Sequence, residues 1–165
     1  MLQRIIYILL FLFVLSGCVE ITKNNENNGA TMVGYVVKKN ESRVLFVSEH
    51  VNPNNNYETI WTSGIKNIDI RVGQEIEVKF KGPIQTSNPG QGIAESVKII
   101  PMESHGKTQI TPDVALGNAL KLVENWEVPI VKQISYDDEN KKWMIVIFDS
   151  KNIPIEEKTI LIDDK

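Results

Sequence analysis

The run Glu75-Ile76-Glu77-Val78-Lys79-Phe80-Lys81 alternates between charged and apolar residues without a break. A period of two is the signature of a half-buried β-strand, which puts Ile76, Val78 and Phe80 on a core face and Glu75, Glu77, Lys79 and Lys81 in water. Gly73-Gln74 supplies a turn before it and Gly82-Pro83 a turn after it. Around this strand, residues 32–100 read as all-β. Val33-Gly34-Tyr35-Val36-Val37 and Val44-Leu45-Phe46-Val47 are β-branched and aromatic runs joined by Asn40-Glu41-Ser42, a hairpin signal. Ile60-Trp61-Thr62-Ser63 and residues 93–100 add two more strands. Five short strands with glycine-bearing corners predict a small OB-like barrel rather than a sandwich.

Past a break at residues 101–110, rich in Pro, Ser, His, Gly and Lys, the period changes. Thr111-Pro112-Asp113 is a helix start, with a hydroxyl N-cap, proline at the first position and a carboxylate in the first turn. Leu116, Leu120 and Val123 then form an apolar stripe that Ala119 widens, while Gly117 weakens the helix by about 1 kcal/mol relative to alanine. Pro129 ends any helix, residues 130–136 and 142–149 read as strands around Asp137-Asp138-Glu139-Asn140, and residues 159–162 make a last strand. The fold class is mainly β with α+β: a five-stranded barrel over 32–100, a linker over 101–110, and a helix with a three-stranded antiparallel sheet over 111–165. Trp126 and Trp143 are expected to pack this helix on its sheet.

The N-terminus carries a different message. Arg4 precedes a continuous apolar run, and Leu15-Ser16-Gly17-Cys18 follows it. That is the layout of a secretory signal peptide over residues 1–17. Leu-Ser-Gly-Cys resembles a bacterial lipobox, in which the chain is cut between Gly17 and Cys18 and the cysteine thiol receives diacylglycerol. Buried acyl chain contributes about 0.8 kcal/mol per methylene, and two chains give stable anchoring. Cys18 is the only cysteine, so no disulfide remains and the fold rests on packing. Residues 18–31, with Thr22-Lys23-Asn24-Asn25-Glu26-Asn27-Asn28-Gly29, read as a flexible tether. The expected location is the extracytoplasmic face of a membrane. About 148 residues follow the cleavage point, with 17 basic against 21 acidic residues and a net charge of −4, since residues 1–17 carry only Arg4. That acidity argues against nucleic acid as a partner and against electrostatic adhesion to anionic lipid.

Gly34-Tyr35-Val36-Val37, Arg43-Val44-Leu45-Phe46-Val47-Ser48, Ile60-Trp61, Val72-Gly73-Gln74-Glu75-Ile76-Glu77-Val78 and Ser87-Asn88-Pro89-Gly90-Gln91 before Ala94 are similar, in order and spacing, to the YobA-like domain of Bacillus-type secreted lipoproteins. The resemblance covers most of residues 32–100. It implies an extracytoplasmic Gram-positive setting and an OB-like barrel, and no activity, because none is established for the family. Asn88 stands where that family commonly has an aromatic. Residues 111–165 resemble, in pattern only, a PepSY-type module.

No catalytic or metal-binding constellation stands out. His50 and His105 fall in expected loops with no His-x-His or His-Glu-x-x-His spacing. No Gly-x-Ser-x-Gly elbow is present, and Gly90-Gln91-Gly92 is too short for a phosphate-cradling loop. Asp137-Asp138-Glu139 lacks the twelve-residue calcium pattern and reads as a solvated hairpin tip; Glu156-Glu157 and Asp163-Asp164 read as exposed charge. No cofactor is expected. Ligand-binding candidates are Tyr57, Trp61 and His50 in and beside an Asn-rich loop over 49–59, and Gln91 at the end of the polar loop 85–91. On an OB-like barrel such loops flank the ligand face. The expected role is a non-catalytic surface-binding protein for a cell-wall glycan, an extended peptide or a secreted protein. The alternatives are an accessory or inhibitor of a secreted or cell-wall hydrolase, and a hydrolase built on an unrecognised carboxylate pair.

Overall fold

The computed structural model describes residues 29–165 apart from His105 and Lys107. The signal segment, Gly17, Cys18 and residues 18–28 of the expected tether lie outside the described residues, as does His105. Residues before 32 already belong to the fold: the Ala30 carbonyl accepts a hydrogen bond from the Phe80 N–H at 2.9 Å.

Five strands close the barrel, β1 (Thr31–Lys39), β2 (Arg43–Val51), β3 (Tyr57–Ser63), β4 (Glu75–Phe80) and β5 (Gly90–Ile100), in the order β1-β2-β3-β5-β4 with β4 returning to β1. All neighbours are antiparallel except β3 and β5, which run parallel with Ile60 opposite Gly90 and Trp61 opposite Gln91. The alternating residues of β4 behave as their period demands, with Ile76, Val78 and Phe80 wholly buried. Inside the barrel they meet Val36, Val44, Phe46, Ile60 and Ile70, and Phe46 packs edge-on against Phe80 with ring centroids 6.3 Å apart.

The second unit consists of α1 (Pro112–Lys121) and a sheet of β6 (Pro129–Asp137), β7 (Lys142–Asp149) and β8 (Lys158–Asp163), ordered β6-β7-β8 and antiparallel throughout. Thr111 takes the N-cap backbone conformation without a capping hydrogen bond from its side chain, and its hydroxyl bonds the Asp113 carboxylate instead. The expected stripe is buried, Leu116 and Ala119 fully and Leu120 and Val123 nearly so. Trp143 is buried against it and Trp126 half-buried beside it.

One hydrophobic core joins the two units. Val37, Leu45 and Val47, on the outer wall of β1 and β2, pack with Leu116, Ile130, Trp143, Ile145 and Ile147. The unbroken run Val44–Ser48 is therefore buried on both faces, Val44 and Phe46 toward the barrel interior and Leu45 and Val47 toward the helix and second sheet. A continuous apolar run is how two-sided burial reads in a strand. Glycines tighten the joint. The Gly117 position lies so near the β3–β4 connection that a Cβ there would sit 2.9 Å from the Val72 carbonyl oxygen, and one on Gly73 would sit 2.2 Å from that of Asp113.

Candidate functional site

Three segments far apart in sequence meet in a groove of about 900 Å³: the β2–β3 turn, the β4–β5 loop and the end of β7 with the chain that follows it. The expected loop over 49–59 is shorter than its composition suggested, because β2 runs on to Val51 and β3 starts at Tyr57. What remains is a tight turn knotted by Asn52, whose Oδ1 accepts from the Asn54 and Asn56 N–H groups at 2.9 and 3.1 Å. Its Nδ2 donates to Glu58 Oε1 at 2.6 Å. Asn55 takes a positive φ of 60°, which asparagine tolerates better than most residues. On the other wall, Gln85 bridges Gln91 through backbone hydrogen bonds, and Lys151 Nζ donates to the Asn88 carbonyl at 3.0 Å. That last bond ties the barrel loop to the second unit.

Tyr57 stands in this groove, its ring edge-on to Phe148 with centroids 6.2 Å apart. Asn55, Gln85 and Asn88 line the same groove, and Ile155, 58% exposed, adds apolar surface. Amides donate and accept together, so this lining matches sugar hydroxyls or a peptide backbone.

The other candidates lie elsewhere. Trp61 and Gln91, opposite one another across the parallel β3–β5 ladder, line a separate shallow pocket of about 280 Å³. Trp61 is half-buried against the shared core, and the Arg43 guanidinium lies 4.5 Å from its ring centroid. His50 belongs to β2 rather than to a loop, an exposed residue whose Nε2 is 3.6 Å from Glu49 Oε2.

His50 borders a cleft that sequence reasoning did not anticipate. Glu49, Glu75 and Glu103 line it together with Tyr35, beside Lys132 and Gln133 of β6. Burial, then Glu49 and Glu75, push the Tyr35 hydroxyl well above its ordinary range. Burial and then Glu49 raise the Glu75 carboxyl, with His50 opposing. Glu75 keeps the outward side of β4 that its alternation predicts, half-buried, and lines this cleft together with residues of the second unit. The sequence signal was again the continuous run in β2, which demands a partner on the outer wall.

Two aspartates have structural work. Asp164, read from sequence as exposed charge, is 8% exposed and accepts from the Gln109 and Ile110 N–H groups and from the Tyr136 hydroxyl, fastening the approach to α1 onto the end of β8. Asp149 accepts from the N–H groups of Glu127, Val128 and Lys151. At the β6–β7 turn Asp137 accepts from Glu139 and Asn140, the solvated tip expected. Among the described residues no group of three or more His, Cys, Asp or Glu side chains could hold a metal ion.

Residues 33–101 match the family described as "Protein of unknown function (DUF3221)". A solved structure of a YobA protein from Bacillus subtilis is similar at 23% identity and a TM-score of 0.36, covering 45% of this chain and 97% of that one. No curated protein matches the chain. The family match thus shows a domain of unknown function over residues 33–101, less than half of the chain.

Proposed function

We propose that this is a membrane-anchored, extracytoplasmic binding protein that takes a cell-wall glycan strand or an extended peptide in the groove around Tyr57. Diacylglyceryl Cys18 holds the chain to the membrane and residues 18–28 lift the folded part from it. The observation that carries this reading is the groove lining, an aromatic pair Tyr57–Phe148 in a groove shared with Asn55, Gln85 and Asn88 where three segments meet. Pockets where two units meet are preferred ligand sites. Stacking on one aromatic is worth on the order of 1 kcal/mol, so Tyr57→Ala should weaken retention on solubilised wall material about fivefold. The test is a pull-down and a melting curve on the same variant. Unchanged retention in a folded Tyr57→Ala protein would remove the groove from the reading.

A second reading, hydrolysis, is favoured by the Glu49–Glu75 pairing, since a carboxyl raised by burial and a like charge is how a general acid is tuned. Its test is release of reducing ends from wall polysaccharide, abolished by Glu75→Gln. The PepSY-like pattern of 111–165 supports a third role, accessory or inhibitor of a secreted hydrolase; a co-purifying hydrolase would be its mark.

A further inference from the structure

A second groove, about 610 Å³, follows the seam where α1 meets β1 and the β3–β4 connection. Its floor is apolar, formed by Val37, Val72, Leu120 and Val123, and Val114 opens it to solvent at 39% exposure. The backbone contact at Gly117 keeps helix and connection together beneath it. Four cations stand around this floor, Lys38, Lys39, Arg71 and Lys121, against two carboxylates, Asp113 and Glu124. The chain as a whole is acidic, with a net charge of −3, so the local excess of positive charge runs against the molecule's overall balance.

Those cations are available to a ligand. Lys39 donates to the Ile70 carbonyl at 2.6 Å and is 3.6 Å from Asp69, while Arg71 is 3.8 Å from Asp113; the lysine and arginine side chains are 45% and 62% exposed. Exposed pairs at such separations contribute at most about 1 kcal/mol, so an incoming anion competes for them easily. Lys121 donates to the Asn118 amide oxygen at 3.5 Å, Lys38 feels the buried Asp149, and neither forms an ion pair among the described residues.

We propose that this groove binds a small anionic amphiphile, a medium-chain fatty carboxylate whose aliphatic body lies on Val72, Val114 and Leu120 while its head is held by the lysine and arginine rim. The volume falls in the range of small-ligand sites, and an apolar floor within a cation-rich rim matches a ligand with one charged end and one greasy body. The site is separate from the Tyr57 groove and shares no lining residue with it.

The test is an amide NMR titration of the chain from residue 18, carrying Cys18→Ser, with decanoate below its micellar concentration. Decanol and decyltrimethylammonium, which keep the same apolar body, serve as head-group controls. Decanoate should shift the amides of Lys38, Lys39, Val72, Val114 and Lys121 saturably. Its affinity should fall about fivefold in the Lys38→Glu, Lys121→Glu double variant, and also between about 20 mM and about 300 mM salt. Val114→Glu, at an exposed position, should reject decanoate while leaving the spectrum of the barrel interior unchanged. Equal affinity for decanol or the cationic analogue, indifference to salt and to both variants, shifts that map to the Tyr57 groove, or no saturable shift would each overturn the proposal.

Discussion

Replacing Gly117 with alanine should destabilise this protein, even though the change improves helix propensity. In an exposed helix, alanine is favoured over glycine by about 1 kcal/mol. Here the new Cβ would lie 2.9 Å from the Val72 carbonyl oxygen, closer than real Cβ contacts fall. The obstacle is backbone, and it is pinned: the Val36 N–H donates to the Gln74 carbonyl and the Gly73 N–H to the Val36 carbonyl, both at 2.9 Å. The helix must therefore move off the barrel, loosening Leu116 and Leu120 in the shared core. Overpacking of this kind costs about 1–3 kcal/mol, which leaves a net loss of up to about 2 kcal/mol after the propensity gain. With a urea m-value of about 1–2 kcal/mol/M, the midpoint should fall by up to about 1–2 M. Gly73→Ala should cost more, because its Cβ would meet Asp113 oxygen at 2.2 Å and its φ is +97°. Gly82→Ala is the control: φ is +72° but nothing lies within 4 Å, so only backbone strain of about 1 kcal/mol applies. Urea melts followed by tryptophan fluorescence give the order directly. A Gly117→Ala protein more stable than wild type would refute the close helix–barrel contact.

Four further outcomes follow from the same geometry. Burial pulls the Asp149 carboxyl up, but the N–H groups of Lys151, Val128 and Glu127, with Lys38, outweigh it and hold it below the ordinary carboxylate range. A lowered folded-state value contributes stability that is full above about pH 4 and lost as pH falls through that value; Asp149→Asn should cost about 1–3 kcal/mol at neutral pH, and a gap that persists undiminished in strong acid would contradict this. Glu75 has the opposite sign: its folded-state value is raised, so it opposes folding once ionised, and Glu75→Gln should raise the melting temperature at pH 7 and lose that advantage in acid. Leu45→Ala, on the outer wall of β2 and wholly buried, should cost about 2–5 kcal/mol and lower the stability of both units in one transition; a transition confined to the barrel would contradict the shared core. Cys18→Ser should abolish incorporation of a fatty-acid analogue, and equal labelling would remove the lipid anchor.

The barrel was legible because its signals are local. Strict alternation in residues 75–81 needs no knowledge of the rest of the chain, and the helix over 112–121 announces itself through Thr111-Pro112-Asp113 and the stripe that follows. What escaped was long-range. Leu45 and Val47 look like ordinary barrel residues until the second sheet is placed against them, although the unbroken run through Ser48 carried the hint. Asp164 sits beside Asp163 in a run of charge, and nothing local distinguishes the one that fastens residues 109–110 from the one that faces water. The candidate site suffered likewise. Tyr57 lines a groove, but its partners there, Phe148 and Ile155, come from about ninety residues downstream. Trp61, His50 and Gln91 were grouped with it by proximity in sequence or by loop membership, and the fold places them in other pockets.

The most direct test of the binding account is a chemical-shift titration of the lipid-free chain with solubilised peptidoglycan fragments and, separately, with an extended peptide library. The account predicts that one of these ligands shifts three separated stretches together, residues 52–59, 84–90 and 148–155, and that Tyr57→Ala removes all three responses while the core resonances stay in place. Shifts confined to one stretch, shifts centred on the Glu49–Glu75 cleft, or no saturable response to either ligand would contradict it.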